Sequence, residues 1–273
     1  MAEAHEFDLL IRGGTVIDGS GAPRRRLDVG IAAGRVAALA PTLDPARAAK
    51  VIEADGMIVA PGFIDVHTHD DNSLLDNPDM VYKTSQGVTT VVAGNCGISL
   101  APAMPQQRCR NCDDAPGAEV IPPLNLLGSS FVHSTVRSFF DAVDAAPAAV
   151  NSVVLCGHTT LRINVMGAAA LDRAATASEL EAMQAMLQEA LDAGAIGLST
   201  GLAYASAAPA TTEEVIGLAR LLQPAGALCE PPHAPTTLDP CVPPGAEQCC
   251  CCTWQTRRIC ATSRARSSRR WTV

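Results

Sequence analysis

Imidazoles, a thiol and carboxylates recur in this 273-residue sequence at spacings that could do chemistry together. His67 and His69 lie in the run FIDVHTHDD. A strand ending in this pair sends both rings to one side, because side chains alternate along a strand with period two. Two neutral imidazoles can share one zinc ion at about 2.0–2.1 Å, and Asp65, Asp70 or Asp71 stand close enough to ligate or to accept from a ligand's second nitrogen. Two loop histidines with no shared task are the bland alternative. The surroundings favour the metal, because PGFIDVHTHDD places the pair at the C-terminal end of the first strand of an α/β core, where barrel enzymes hold their active sites. Cys96 follows the apolar run VTTVVAGN at the corresponding position, between Gly94 and Gly97, which let the backbone turn sharply. Its thiolate could ligate or bridge metals, or the residue could be a buried structural cysteine. His158 closes a third apolar run and reads either as a site residue or as a satisfied core histidine, while nearby Arg162 could bind a substrate carboxylate or pair with an internal acid. Cys109 and Cys112 form a lone CxxC inside a proline-rich stretch, poor grounds for a zinc knuckle or redox site.

The elements that must position these groups follow from the pattern of apolar runs. Residues 7–60 read as short strands punctuated by glycine, with hairpin signals at Asp18-Gly19 and across Gly34. After them, the runs 63–67, 88–94, 152–157 and 195–200 are short and apolar, as strands buried on both faces should be, and they alternate with helical patterns. Thr176 and Glu179 have capping-box spacing ahead of Leu180, Met183, Leu187 and Leu191, and Gly194 stops the run. Thr211 and Glu214 repeat that spacing ahead of Val215, Leu218, Ala219 and Leu222, a second helix that should lead into another strand. Residues 103–134 read as a long loop or insertion.

With 48% apolar and 18% charged residues, the composition is that of a globular protein and excludes disorder over the whole length. A net charge of −8 argues against nucleic acid or an anionic membrane as partner. No apolar run approaches the roughly 20 residues of a membrane span, and Met1 to Leu10 lacks the form of a secretory signal, so a cytoplasmic location is expected. The averages conceal a break. Seven of the eleven cysteines fall after Arg220, where the chain is net +3, against −11 for residues 1–220.

The segments DLLIRGGTVIDGSG, APGFIDVHTHDD, GVTTVVAGNCGISLAP, GHTTLR, VMG and GAIGLSTGLAYASAAPATTEEV together resemble the N-acyl-D-amino-acid deacylase (D-aminoacylase) family of the amidohydrolase superfamily, from about Phe7 to Ala227. The resemblance implies a zinc-dependent (β/α)8 TIM-like barrel with a small β-sandwich, hydrolysing N-acyl-D-amino acids to a carboxylate and a D-amino acid. It implies His67 and His69 as metal ligands and Cys96 as the metal bridge, a place that many relatives fill with a carboxylated lysine. The only lysines here are Lys50 and Lys83, neither at an expected strand end. Tyr204, in GLAY, matches a family position near the substrate carboxylate.

The family pattern also calls for a histidine in an HMR-like motif on the next strand, a second histidine later, and a late aspartate acting as base. None is recognisable, so the catalytic base is left unassigned. Instead GAL is followed by CEPPHAPTTLDPCVPPGAEQCCCCTWQTRRICATSRARSSRRWTV, which lacks apolar periodicity. The expectation is an out-of-frame or otherwise aberrant tail beginning near Ala227. Pro232-His233-Ala234, read one base along, could spell His-Met-Arg. The expected architecture is therefore part of a β-sandwich over residues 1–60, the first half of the barrel over 61–222 and an aberrant Cys/Pro/Arg-rich, disordered tail over 223–273. Weak metal binding and impaired or absent turnover are expected of such a chain. The competing functions are a cyclic-amide hydrolase of the dihydroorotase or hydantoinase kind, and a nonfunctional fragment or interaction module. The oligomeric state is not legible.

Overall fold

Glycine-punctuated β-branched runs become the strands of two separate sheets. The computed structural model describes residues 5–102 and 133–230, which fall into two compact units divided after Phe63. The expected loop over 103–134 lies almost wholly outside the described residues, as do Cys109, Cys112, His233 and everything after Glu230.

The first unit is a five-stranded sheet: β1 (Leu9–Val16), β2 (Arg25–Ala32), β3 (Arg35–Ala40), β4 (Val51–Glu53) and β5 (Ile58–Val59). The order is β3-β2-β1-β4, with β5 also pairing β1. β1, β2 and β3 form an antiparallel meander, whereas β4 and β5 run parallel to β1. The β2–β3 hairpin turns on Ala33 and Gly34, both at positive φ as a tight primed turn requires. One small apolar cluster gathers Val16, Leu27, Val29 and Ile31, and another Phe7, Leu10 and Ala48.

The second unit is built on five strands in sequence order: β6 (Phe63–Asp65), β7 (Val88–Ala93), β8 (Asn151–Gly157), β9 (Gly197–Ser199) and β10 (Leu228–Glu230). β7 to β10 pair in parallel, and helices fill the crossovers as parallel pairing demands. The result is a curled parallel sheet, a partial barrel. The helices are α1 (Ser73–Asp76), α2 (Val81–Thr84), α3 (Val136–Ala145), α4 (His158–Met166), α5 (Ala177–Ala193), α6 (Thr212–Ala219) and α7 (Leu222–Ala225). Val91, Ala93, Val154 and Cys156 face the helices in the main core, while Val92 and Leu155 point the other way and gather Ile64, Val66, Val153, Ile196 and Leu228.

The α5 capping box forms as expected: the Glu179 N–H donates to Thr176 Oγ1 at 3.3 Å, and the Thr176 N–H donates to Glu179 Oε2 at 2.8 Å. Gly194, at φ +116°, ends the helix in the left-handed conformation. Three expectations need correction. The first barrel strand stops at Asp65 rather than His67, because the His67 N–H turns to the Asp65 carboxylate at 3.4 Å. β9 starts at Gly197 rather than Ala195, whose N–H is occupied by the Ala190 carbonyl at the end of α5. The helix after Thr211 breaks before Leu222, and α7 is separate; Pro224 lacks the N–H that would continue the ladder.

The 222/223 boundary falls at the start of α7, and the strand expected after the helix at Thr211 forms at Leu228–Glu230, inside the stretch assigned to the tail. Of the expected tail over 223–273, residues 231–273 lie outside the described residues. No helix among the described residues is long and apolar enough to cross a membrane.

Candidate metal centre

The loops leaving β6 and β7 are stitched to one another, and the stitching sets the direction of three donor side chains. Thr68, between the two histidines, donates its N–H and its Oγ1–H to the Val92 carbonyl, at 3.1 and 2.9 Å. Its own carbonyl accepts from Asn95 Nδ2 at 3.1 Å. The strand-like alternation therefore persists past the end of β6, with Thr68 buried and a histidine on either side of it. The rings of His67 and His69 lie 5.8 Å apart, edge to face.

Cys96 has φ +56°, an uncommon left-handed conformation for a residue with a side chain, and several bonds hold it there. Buried Asp71 accepts from the N–H groups of Gly94 and Leu100, each at 3.1 Å. Ser199, at the end of β9, accepts from the Gly97 N–H at 3.0 Å and donates to the Gly94 carbonyl. Glycine is required at Gly94, where φ is +76° and a Cβ would stand 2.0 Å from the Leu155 carbonyl oxygen.

These restraints bring Cys96 Sγ to 3.2 Å from His67 Nε2. One donor atom from each of His67, His69 and Cys96 falls within 4.8 Å of the others. Two imidazoles and a thiol form a donor set suited to zinc. Burial pushes the His69 imidazole down, favouring the neutral form that ligates, and burial together with the Glu230 carboxylate pushes the Cys96 thiol up.

The other sequence candidates separate. Asp65 and Asp70 are engaged by Lys83, at 2.7 and 3.0 Å, and Asp71 holds the Cys96 loop, so none of the three joins the donor group. Burial raises the Asp71 carboxyl to about 6 despite its two backbone donors. His158 opens α4 and is wholly buried; its Nε2 lies 2.9 Å from Glu214 Oε1. Arg162, also fully buried, grips both Glu214 oxygens at 2.5 and 2.7 Å and donates to the carbonyls of Ser206, Ala170 and Arg173. The pair thus serves the interior, and the Thr211/Glu214 spacing yields only half a capping box: the Glu214 N–H reaches Thr211 Oγ1, while its carboxylate turns inward. Tyr204 is half-buried with its hydroxyl within hydrogen-bonding reach of Cys96.

Sequence reasoning missed Glu230. Its Oε1 lies 3.0 Å from His67 Nδ1 and its Oε2 accepts from the Cys96 N–H at 3.2 Å. Burial raises its carboxyl to about 7. The available signal was an acid two places after the apolar GAL run, in a stretch whose composition pointed away from a barrel strand.

The site thus presents a partial parallel barrel with three metal-suited donors in the loops after its first two strands. Residues 50–226 match the amidohydrolase family, and the chain belongs to it. It is 48% identical to the D-aminoacylase of Alcaligenes xylosoxydans xylosoxydans over 229 residues, 83% of this chain and 44% of that protein. A crystal structure of D-aminoacylase superposes with a TM-score of 0.74 at 48% identity, covering 82% of this chain and 44% of the other. The N-acyl-D-glutamate deacylase of Bordetella bronchiseptica, solved with zinc and a phosphonate mimic of the tetrahedral intermediate, gives 0.73 at 46% identity, with the same coverage. The chain thus spans less than half the length of these relatives.

Proposed function

We propose that this chain carries the zinc-binding part of a hydrolase that cleaves N-acyl-D-amino acids with water to a carboxylate and a free D-amino acid. The observation that carries the reading is the convergence of His67, His69 and Cys96 in a chain 48% identical to a D-aminoacylase. These three residues would hold the metal. When bound, zinc supplies Lewis-acid polarisation of the scissile carbonyl and a water acidified to a pKa of about 7. Thr68, Asn95 and Asp71 keep the two donor loops in register, and Tyr204, beside Cys96, contacts the substrate carboxylate.

The unit over residues 1–60 is part of a small β-sandwich, a reading supported by Val36, Leu39, Ile52 and Ile58, which leave apolar surface exposed for a second layer. Residues 61–222 supply the first half of a (β/α)8 barrel. With three donors and no assigned base among the described residues, the 273-residue chain by itself is expected to bind zinc weakly and turn over little substrate. Appreciable deacylation by the chain alone overturns that part.

The function is tested by joining residues 1–226 to the C-terminal remainder of the 48% identical D-aminoacylase and assaying the zinc-loaded chimera. N-acetyl-D-methionine should be hydrolysed and its L-isomer spared. Equal rates on both enantiomers, or turnover of hydantoin or dihydroorotate instead, sink the D-specific deacylase.

A further inference from the structure

Among the described residues, β6 stands at one end of the strand order of its sheet, so the segment that leaves it with His67 and His69 has a strand beside it on one side only. Thr68 fixes the middle of that segment through its two bonds to the Val92 carbonyl. Both ends are held by one side chain from α2. Lys83 Nζ donates to Asp65 Oδ2 at 2.7 Å and forms an ion pair with Asp70 Oδ2 at 3.0 Å. The remaining oxygens are engaged as well. Asp65 Oδ1 accepts the His67 N–H at 3.4 Å, and Asp70 Oδ1 accepts from the Tyr82 hydroxyl at 3.3 Å.

Residues 65–70 are thereby closed into a loop by a single ammonium, with both histidines inside it. The side chains of Lys83 and Asp70 are only 17% and 13% exposed, so solvent screens this pair less than a surface one. Removing the ammonium does more than cut two contacts. It leaves two carboxylates that had both approached within 3.0 Å of one nitrogen, and their repulsion drives the two ends of the segment apart.

We infer that Lys83 is a positioning residue for the metal centre: its ammonium draws Asp65 and Asp70 together and closes the segment between them, so that the imidazoles of His67 and His69 are held side by side, 5.8 Å apart, as a ready pair of ligands. The inference rests on the zinc reading of the site and adds to it a residue outside the donor group, one of the two lysines in the chain.

The test uses the full 273-residue chain. Zinc affinity is read by competition with a chromophoric chelator, and the closure of the segment by amide hydrogen exchange of the metal-free protein over residues 66–70. Lys83→Met should weaken zinc binding by about 10-fold, the lower end of the loss for groups that orient metal ligands. It should also speed exchange over 66–70 by about fivefold, the shift expected from losing a partly shielded ion pair, while α5 exchanges as in the wild type. Lys83→Arg, which keeps the charge, should restore most of both. Asp65→Asn together with Asp70→Asn opens the same segment from the other side, and adding Lys83→Met to that chain should cost nothing further.

A Lys83→Met loss of the same size in the doubly neutral background overturns the inference, because a role in packing alone survives the removal of both partners. An arginine variant no better than the methionine one, or a methionine variant with wild-type affinity and exchange, also overturns it. Where the methionine variant does not fold, wild-type affinity and exchange in the doubly neutral chain do the same. A wild-type chain that takes up no zinc at all defeats the metal reading itself, and the exchange measurements then still decide whether Lys83 closes the segment. Zinc uptake indifferent to Lys83 defeats only the positioning role.

Discussion

Cys96 Sγ lies 3.2 Å from His67 Nε2 although 29 positions separate the two residues. They meet because they leave the same end of neighbouring strands, β6 and β7, and because Asn95 and Thr68 tie the two loops together.

Cys96→Ser replaces a soft, polarisable donor with a hard, weakly ionising one at a site whose other donors are imidazoles. Zinc affinity should fall by at least about 100-fold, the upper end of losses seen when only an orienting group is removed. Chelator competition on wild type and variant reads the difference, and an unchanged affinity would remove Cys96 from the ligand set.

Glu214 holds α6 to α4 through Arg162 and His158, all three buried. Glu214→Ala leaves the Arg162 guanidinium charged, buried and short of its partner, so a loss of about 3–5 kcal/mol in unfolding free energy is expected. Urea denaturation measures it. A loss below about 1 kcal/mol, the worth of an exposed pair, would show that Arg162 finds other compensation.

The same pair sets an acid limb of stability. Burial acts to raise the Glu214 carboxyl, but the hydrogen bonds from His158 and Arg162 outweigh it and hold the group down at about 2, against an ordinary 4.5. A carboxylate depressed in the folded state contributes fully above its unfolded value and loses that contribution as pH falls toward the folded one. Unfolding midpoints should therefore drop between about pH 5 and pH 2, and Glu214→Gln should flatten that part of the profile. Parallel profiles for the two proteins would assign the acid limb to other groups.

Gly94→Ala tests the loop that carries Cys96. A Cβ would collide with a backbone carbonyl that cannot rotate away, at a φ that alanine rarely adopts. A destabilisation of about 3 kcal/mol is expected, with zinc uptake reduced as the loop shifts. A variant of wild-type stability would mean that β7 and β8 part easily at this point.

Much of the scaffold is visible in local pattern. The α5 helix follows from its capping box, apolar spacing and terminal glycine, all contained within one stretch of chain. The β2–β3 hairpin follows from Ala33-Gly34, and the parallel strands from short apolar runs between helices. Strand ends were less legible, because a single side chain such as Asp65, or a helix cap such as Ala195, can divert one N–H from the ladder.

The sequence by itself put His67, His69 and Cys96 forward as candidate donors together with Asp65, Asp70 and Asp71, and left two meanings for Cys96; only the tertiary structure brought the first three together and turned the aspartates elsewhere. The sequence also left two meanings for Arg162 and two for His158, and only packing decided between them, by bringing Glu214 from a distant helix into the same buried space. Glu230 was decided by tertiary structure alone. Nothing in its neighbouring residues points to His67, and the two come within 3.0 Å because the parallel sheet curls its fifth strand back toward the loop after its first.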